Sequence, residues 1–231
     1  MTDSEFSDEK VLRSWRRNAA PWQRAIEGAE IGSRVRITDG AIVAAAMGLR
    51  PRTALDIGCG EGWLCRALSA QGVEMWGVDA IEELVAAARA RSQAGSHFLQ
   101  LRYDELESGC FPSRFDLLVC NFSLIGRQSV EQVLAAAPTL LQPGGHLLIQ
   151  TLHPWTTANG NYRSGWRPGS WQGFNEEFCD PPPWYFRTLA DWMALLDEKG
   201  LRLVRLQEPL DPETGSPASV IFTAHPEDSG Y

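Results

Sequence analysis

No stretch of this chain stays apolar for long enough to cross a bilayer. The longest run, Ala41 to Leu49, falls well short of the ~20 residues that a spanning helix needs, so no membrane partner is expected. A basic run of the kind found in nucleic-acid-binding arms is missing as well. Asp and Glu number 29 against 21 Lys and Arg, for a net charge of −8, whereas phosphate binding needs a basic face. Nucleic acid is therefore not an expected partner, and Arg13, Arg16, Arg17, Arg34 and Arg36 read as a solvated helix face. Cys59, Cys65, Cys110, Cys120 and Cys179 form no C-x-x-C pair and sit at no metal-like spacing from histidine, so no metal is expected. Scattered thiols of odd number suit a reducing cytoplasm. The opening Met1-Thr-Asp-Ser-Glu-Phe6 lacks the basic and apolar parts of a secretory leader, which points the same way. There is no internal repeat, and nothing in the pattern sets an oligomeric state.

What is present is enough apolar content, 44% of 231 residues, to bury one full core. Residues 9–26 carry helix formers with Trp15 and Trp22 two turns apart and hence on one face; Pro21 is expected to break or restart that helix. A second helix is expected over 38–49, capped by Thr38 or Asp39. Strands are then expected at 53–57, 73–78, 97–102, 115–121 and 146–151, with two more at about 201–208 and 218–224. Helices are expected at 62–70, 81–93, 129–141 and 188–199, with Pro143-Gly-Gly145 as a helix stop and turn. Alternating strands and helices, with strands that are continuous apolar runs, imply a parallel sheet covered on both faces. Residues 154–187 break the pattern. They interleave Trp155, Tyr162, Trp166, Trp171, Phe174, Phe178, Trp184, Tyr185 and Phe186 with Gly, Pro, Asn and Ser. A long aperiodic connection is a functional lid or a disordered segment, and so many aromatics argue for the lid.

The chemistry-bearing stretch is Ala54-Leu-Asp-Ile-Gly-Cys-Gly-Glu-Gly62, followed by Trp76-Gly-Val-Asp79. It reads as a buried strand, a glycine turn opening a helix, a second strand, and an acid at that strand's end. An adenosine-containing cofactor can lie across such an edge, with backbone N–H groups at its polar tail and a carboxylate at its ribose. A dinucleotide fingerprint needs a third glycine at position 63, which is Trp63. The spacing Asp56-x-Gly58-x-Gly60-x-Gly62 instead resembles motif I of the class I S-adenosylmethionine-dependent methyltransferases. Further segments resemble that family in order: Asp79 after the second strand, Tyr103-Asp104, Phe115-Asp-Leu-Leu-Val-Cys-Asn-Phe-Ser-Leu124, and Leu140-Leu-Gln-Pro-Gly-Gly-His-Leu-Leu-Ile149. The likeness is close over roughly residues 50–153.

The resemblance implies an α/β fold: a Rossmann-like, doubly wound, mostly parallel seven-stranded sheet with helices on both faces and an antiparallel last strand. Around it would stand N-terminal helices (1–50) folded over the cofactor mouth, the S-adenosylmethionine-binding core (51–153), an inserted aromatic cap (154–187) and the C-terminal part of the core (188–231). It also implies that Asp56, Gly58, Cys59, Gly60, Asp79, Ala80, Ile81, Tyr103, Asp104, Asn121 and Phe122 hold the cofactor, with Asp79 on both ribose hydroxyls and Ala80 and Ile81 walling the adenine. Simpler roles stand beside these. The glycines can serve a bare turn, and Asp79 can cap the next helix. Asp104 can read the adenine edge or cap the short helix after it. Asn121-Phe-Ser-Leu124 lacks the prolines of amino-directed DNA methyltransferases, and Cys120 follows Val119 rather than the proline of a cytosine C5 enzyme, so Cys120 reads as core. His153 is the candidate general base, or a histidine that satisfies local backbone. Trp155 and Tyr162 are the candidate substrate contacts, while Trp15 and Trp22 read as a packing face. The expected reaction is methyl transfer to an O, N or C atom of a small, partly apolar or aromatic molecule. The alternatives are an NAD(P)-dependent oxidoreductase, disfavoured by the glycine spacing and the lack of a Tyr-x-x-x-Lys pair, and a non-catalytic methyltransferase-like binding subunit.

Overall fold

The computed structural model describes residues 6–92 and 95–227. The last residue of the expected helix 81–93 and the outer ends of the segments 1–50 and 188–231 lie outside the described residues. In chain order the elements are α1 (Asp8–Glu27), α2 (Asp39–Gly48), β1 (Thr53–Ile57), α3 (Trp63–Ser69), β2 (Glu74–Asp79), α4 (Glu82–Arg91), β3 (Ser96–Gln100) and β4 (Phe115–Asn121). There follow α5 (Gln128–Leu140), β5 (Leu141–Thr151), the single turn α6 (Pro154–Thr157), β6 (Gly165–Arg167), β7 (Trp184–Phe186), α7 (Leu189–Glu198), β8 (Leu201–Gln207) and β9 (Val220–Pro226).

Seven strands form one sheet in the order β3-β2-β1-β4-β5-β9-β8. β1 pairs in parallel with both β2 and β4, and β4 with β5; β9 runs antiparallel to both its neighbours. The chain therefore leaves β1 in one direction toward β3 and returns to its other side at β4. That reversal opens a crevice at the carboxyl ends of β1 and β4, the place where open α/β sheets take ligands. One core, with Leu55, Ile57, Leu118, Cys120, Leu147 and Ile149, packs under α5 and α7. The other, with Ala54, Leu117, Val119 and Leu148, packs under α2 and α3. Residues alternate between the two along each strand, as a sheet buried on both faces requires.

Three local expectations are corrected. α1 runs unbroken through Pro21. The lost donor costs one helix bond, while the ring is buried along with Ala19 and Ala25. Neither Thr38 nor Asp39 caps α2: a π-helical turn over Arg34–Thr38 feeds straight into it, so the chain enters already helical, and Asp39 accepts instead from Arg34 Nε at 3.0 Å. Pro143-Gly-Gly145 does not end before the strand. β5 begins at Leu141, and its register against β4 jumps between the Phe115–Leu141 and Leu117–His146 pairs, so the turn residues are absorbed as a bulge, with Gly144 at φ +77°.

Candidate active site

The loop after β1 is built so that main chain, not side chain, fills its space. Gly58 lies at φ +78°, and a Cβ there would stand 2.4 Å from Ser123 Cβ and 2.5 Å from the Tyr103 hydroxyl oxygen. Only glycine accommodates both the left-handed backbone and that approach. The N–H groups of Gly58 and Cys59 donate to the Val78 carbonyl at 2.8 and 2.9 Å, and Gly60 N–H donates to Asp79 Oδ2 at 2.9 Å. These three donors, expected to meet a cofactor's polar tail, are spent within the protein and hold the loop's shape.

Asp79 ends β2 and spans two turns. Oδ2 accepts from Gly60 and Oδ1 accepts from Ile81 N–H at 2.9 Å. It does not act as the residue immediately before α4, a position held by Ile81. Desolvation pushes its carboxyl above the ordinary carboxylate range, against the backbone bonds from Ile81, Gly60 and Ala80. With about four acceptor positions on the carboxylate and three backbone donors on it, about one is left for a further donor. One strand away, Asp56 is 2% exposed. Its Oδ2 accepts from Cys65 Sγ at 3.6 Å, and burial, reinforced by Asp79 and Glu61, raises its carboxyl to about 7. Burial likewise raises the thiols of Cys59, Cys65 and Cys120. They stay protonated and unreactive, so Cys120 is a core residue.

The far wall comes from the end of β4. Asn121 Oδ1 is buried without a partner, and Phe122 is held at φ +52°, a conformation that costs a bulky residue energy and marks functional sites. Phe122 N–H donates to the Gln150 carbonyl at 2.8 Å. Ser123 Oγ donates to the Ile57 carbonyl at 2.6 Å and its own carbonyl accepts from Tyr103 Oη at 3.2 Å, which lays Tyr103 across the crevice beside Gly58. Asp104 is exposed and pairs with Arg102 Nε at 3.2 Å. The short turn's cap is Glu105, which accepts from Arg102 N–H at 2.8 Å, so the capping alternative for Asp104 is filled by its neighbour.

α1 forms the roof. Ala19, Leu12, Trp15 and Trp22 pack with Ile81 and Leu84, and Trp22 Nε1 would lie 3.7 Å from a Cβ on Gly60. The expectation that Trp15 and Trp22 are a packing face holds, but the face packs on the glycine loop's own neighbours. Ile81 lies beneath α1. The cap is tied to the same helix. Trp15 meets Trp171 edge-on at 5.8 Å and Trp22 meets Phe174 at 6.4 Å. Asn18 Nδ2 donates to the Cys179 carbonyl at 2.7 Å and its Oδ1 accepts from Cys179 N–H at 2.9 Å, and Lys10 and Arg17 pair with Asp180. Residues 171–180 and α1 thus pack as one unit.

Three expected site residues lie elsewhere. His153 is 3% exposed and begins α6: its Nδ1 accepts from Trp155 N–H at 3.2 Å, so the proton sits on Nε2, which donates to Glu208 Oε1 at 2.7 Å. With both nitrogens engaged it has none left for a substrate proton, and the structure gives it the backbone-satisfying role rather than that of general base. Trp155 is 72% exposed and stands against Tyr162, whose hydroxyl accepts from Leu189 N–H at 3.0 Å. This outer group braces α7, and nothing joins it to the glycine loop. Among the described residues no group of three or more His, Cys, Asp or Glu is placed to hold a metal ion, and no helix is long and apolar enough to cross a membrane.

Asp79, Asp56 and the orphan Asn121 oxygen make the edge of β2, β1 and β4 rich in acceptors. Such an edge fits a molecule carrying hydroxyls and positive charge. Residues 34–206 match the family model for a methyltransferase domain, and the chain belongs to that family. It is 33% identical over 113 residues to a ubiquinone biosynthesis O-methyltransferase of Xanthomonas campestris pv. campestris, covering 48% of this chain and 47% of that protein; the chain thus spans about half the length of the curated relatives it matches. In fold it resembles Burkholderia thailandensis 1,6-didemethyltoxoflavin-N1-methyltransferase, solved with that substrate and S-adenosylhomocysteine, with TM-score 0.68, 24% identity, and coverage of 94% of this chain and 88% of that one. It also resembles an S-adenosylmethionine-dependent methyltransferase of Mesorhizobium loti, with TM-score 0.61, 24% identity, and coverage of 80% and 98%.

Proposed function

We propose that this chain is an S-adenosylmethionine-dependent methyltransferase acting on an O, N or C atom of a compact, partly apolar small molecule. The observation that carries this is the meeting of the strained loop Gly58–Gly62, the bridging Asp79 and the left-handed Phe122 at one sheet reversal, within a chain of the methyltransferase-domain family. S-adenosylmethionine, when bound, supplies an electrophilic methyl group for in-line displacement. The chain's part is to bind, orient and exclude water. Asp79 accepts a ribose hydroxyl at the position its backbone bonds leave free. Tyr103 and Ala80, both half-buried, offer surface to the adenine, and Asn121 offers its unpaired oxygen. The lid of α1 and the cap shuts the crevice, so that most of the acceleration comes from holding the acceptor in line.

The net charge of −8 supports a small-molecule rather than a nucleic-acid acceptor. The five free thiols support a reducing, cytoplasmic setting. The glycine spacing gives no support to the nicotinamide alternative.

Calorimetry with S-adenosylhomocysteine tests the reading. Wild type binds it, and Asp79→Asn weakens binding by roughly ten-fold or more, because a bond to a charged group is worth about 1.5–3 kcal/mol. Unchanged affinity in the variant removes the proposal's basis. A labelled-methyl assay on cell extract that yields no product despite tight binding returns the non-catalytic alternative.

A further inference from the structure

Gln150 lies one strand beyond the crevice wall just described, on β5, in register with Asn121 and therefore on the same face of the sheet. It is 1% exposed and interrupts a strand whose neighbouring residues Leu147, Leu148 and Ile149 are wholly buried and apolar. Its amide is fixed. Nε2 donates to Ser219 Oγ at 2.9 Å, and Ser219 is itself fully buried just ahead of β9. Its backbone carbonyl accepts from Phe122 N–H at 2.8 Å. The remaining group, Oε1, has no partner.

A buried carbonyl oxygen left unpaired costs about 1–3 kcal/mol. Gln150 and Ser219 form a polar pair inside an otherwise apolar strand, with one acceptor of the pair left over. The neighbouring unpaired atom, Asn121 Oδ1, is an acceptor as well, and the next two strand ends carry Asp56 and Asp79. The unpaired atoms at this edge are acceptors, which do not suit an anion. The cofactor's place is over β2, β1 and β4, which leaves the end of β5 to the second substrate.

The geometry points to Gln150 as a specificity-determining residue: its Oε1, held by Ser219, accepts a hydrogen bond from an N–H or O–H group of the methyl acceptor and thereby selects neutral, donor-bearing acceptors over donor-less or anionic ones. This rests on the methyltransferase reading above. Sites that hydrogen-bond a substrate donor discriminate strongly against the analogue that lacks it, because the site's own buried group is then left unpaired.

The test uses the full chain saturated with S-adenosylhomocysteine and two matched probes, benzimidazole, which has an N–H, and 1-methylbenzimidazole, which does not. The S-adenosylhomocysteine affinity of wild type is measured first, and absence of binding there defeats the methyltransferase reading itself. With that affinity in place, wild type prefers benzimidazole by about ten-fold. Gln150→Met abolishes the preference while leaving S-adenosylhomocysteine affinity within two-fold. Gln150→Glu, which keeps an acceptor oxygen and the side chain's shape, retains the preference and decides the matter if the Met variant fails to fold. Binding of neither probe to the wild-type complex, a preference that survives in Gln150→Met, or a ten-fold loss of S-adenosylhomocysteine binding in that variant overturns the assignment; the last outcome makes Gln150 a cofactor residue.

Discussion

At Asp56 the cost of a buried carboxyl can be read directly. Its carboxyl stands at about 7 where 3.8 is ordinary, so the folded protein prefers the protonated form. Below the ordinary value the group is neutral in both states. As pH rises from about 4 to about 7 the unfolded chain ionises freely while the folded chain resists, and stability falls by on the order of 4 kcal/mol. Asp56→Asn removes that slope. Denaturant unfolding at pH 5 and pH 8 should show the variant gaining on wild type as pH rises, and parallel behaviour would contradict the burial argument. Glycine gives a second contrast. Gly58 and Gly72 both have left-handed backbone, at φ +78° and +90°, but a Cβ at Gly72 meets nothing within 4 Å. Gly72→Ala is expected to cost only the backbone strain, roughly 1–2 kcal/mol. Gly58→Ala adds the collisions with Ser123 and Tyr103 and should at least double that loss and abolish S-adenosylhomocysteine binding.

At the scale of elements, the lid is the part with a separable energetics. Its joint is Asn18 on α1, which both donates to and accepts from the Cys179 backbone. Asn18→Ala is predicted to release the Cys179 amide to hydrogen exchange by ten-fold or more, while amides of β4 and β5 keep their protection, since local openings are drawn from the least buried units. Equal deprotection in both places would mean that α1 belongs to the global fold. This joint could not be read from the chain. Asn18 and Cys179 are far apart in sequence, and a helical Asn facing a loop carries no periodicity. The aromatic content of 154–187 did announce a packed segment, but not that Trp171 and Phe174 would meet α1 while Trp155 and Tyr162 turned outward. Aromatic residues advertise burial, not which of two neighbouring surfaces buries them.

At the scale of the whole molecule, the parallel sheet covered on both faces and the glycine-turn edge were legible, because apolar runs, glycine turns and an acid at fixed spacing are local signals that tertiary packing does not override; the strand order was not. The antiparallel β9 came from the family resemblance alone. His153 stayed open between two roles for a related reason: its position at the end of β5 is visible in sequence, but its partners Trp155 N–H and Glu208 are set by the turn and by a distant strand end. Gln150 leaves a trace in the sequence, a single amide at the close of an apolar strand, but its partner Ser219 lies on a distant segment. Ligand linkage reports on the assembled molecule. S-adenosylhomocysteine at a hundred times its dissociation constant adds about 2.7 kcal/mol and should raise the melting temperature by roughly 5–10 °C for a chain of this size, whereas NAD at equal concentration should leave it unchanged.

The pairing of α1 with the stretch around Trp171, Phe174 and Cys179 also sets an order of events during synthesis. Domains begin to form as they leave the ribosome, amino end first, yet this first helix emerges long before the residues that will grip its outer side have been made. It can lean on α4 early, through Ile81 and Leu84, but its tryptophans wait for Trp171 and Phe174. Until that stretch has been made the helix stays half-seated, its outer side bare.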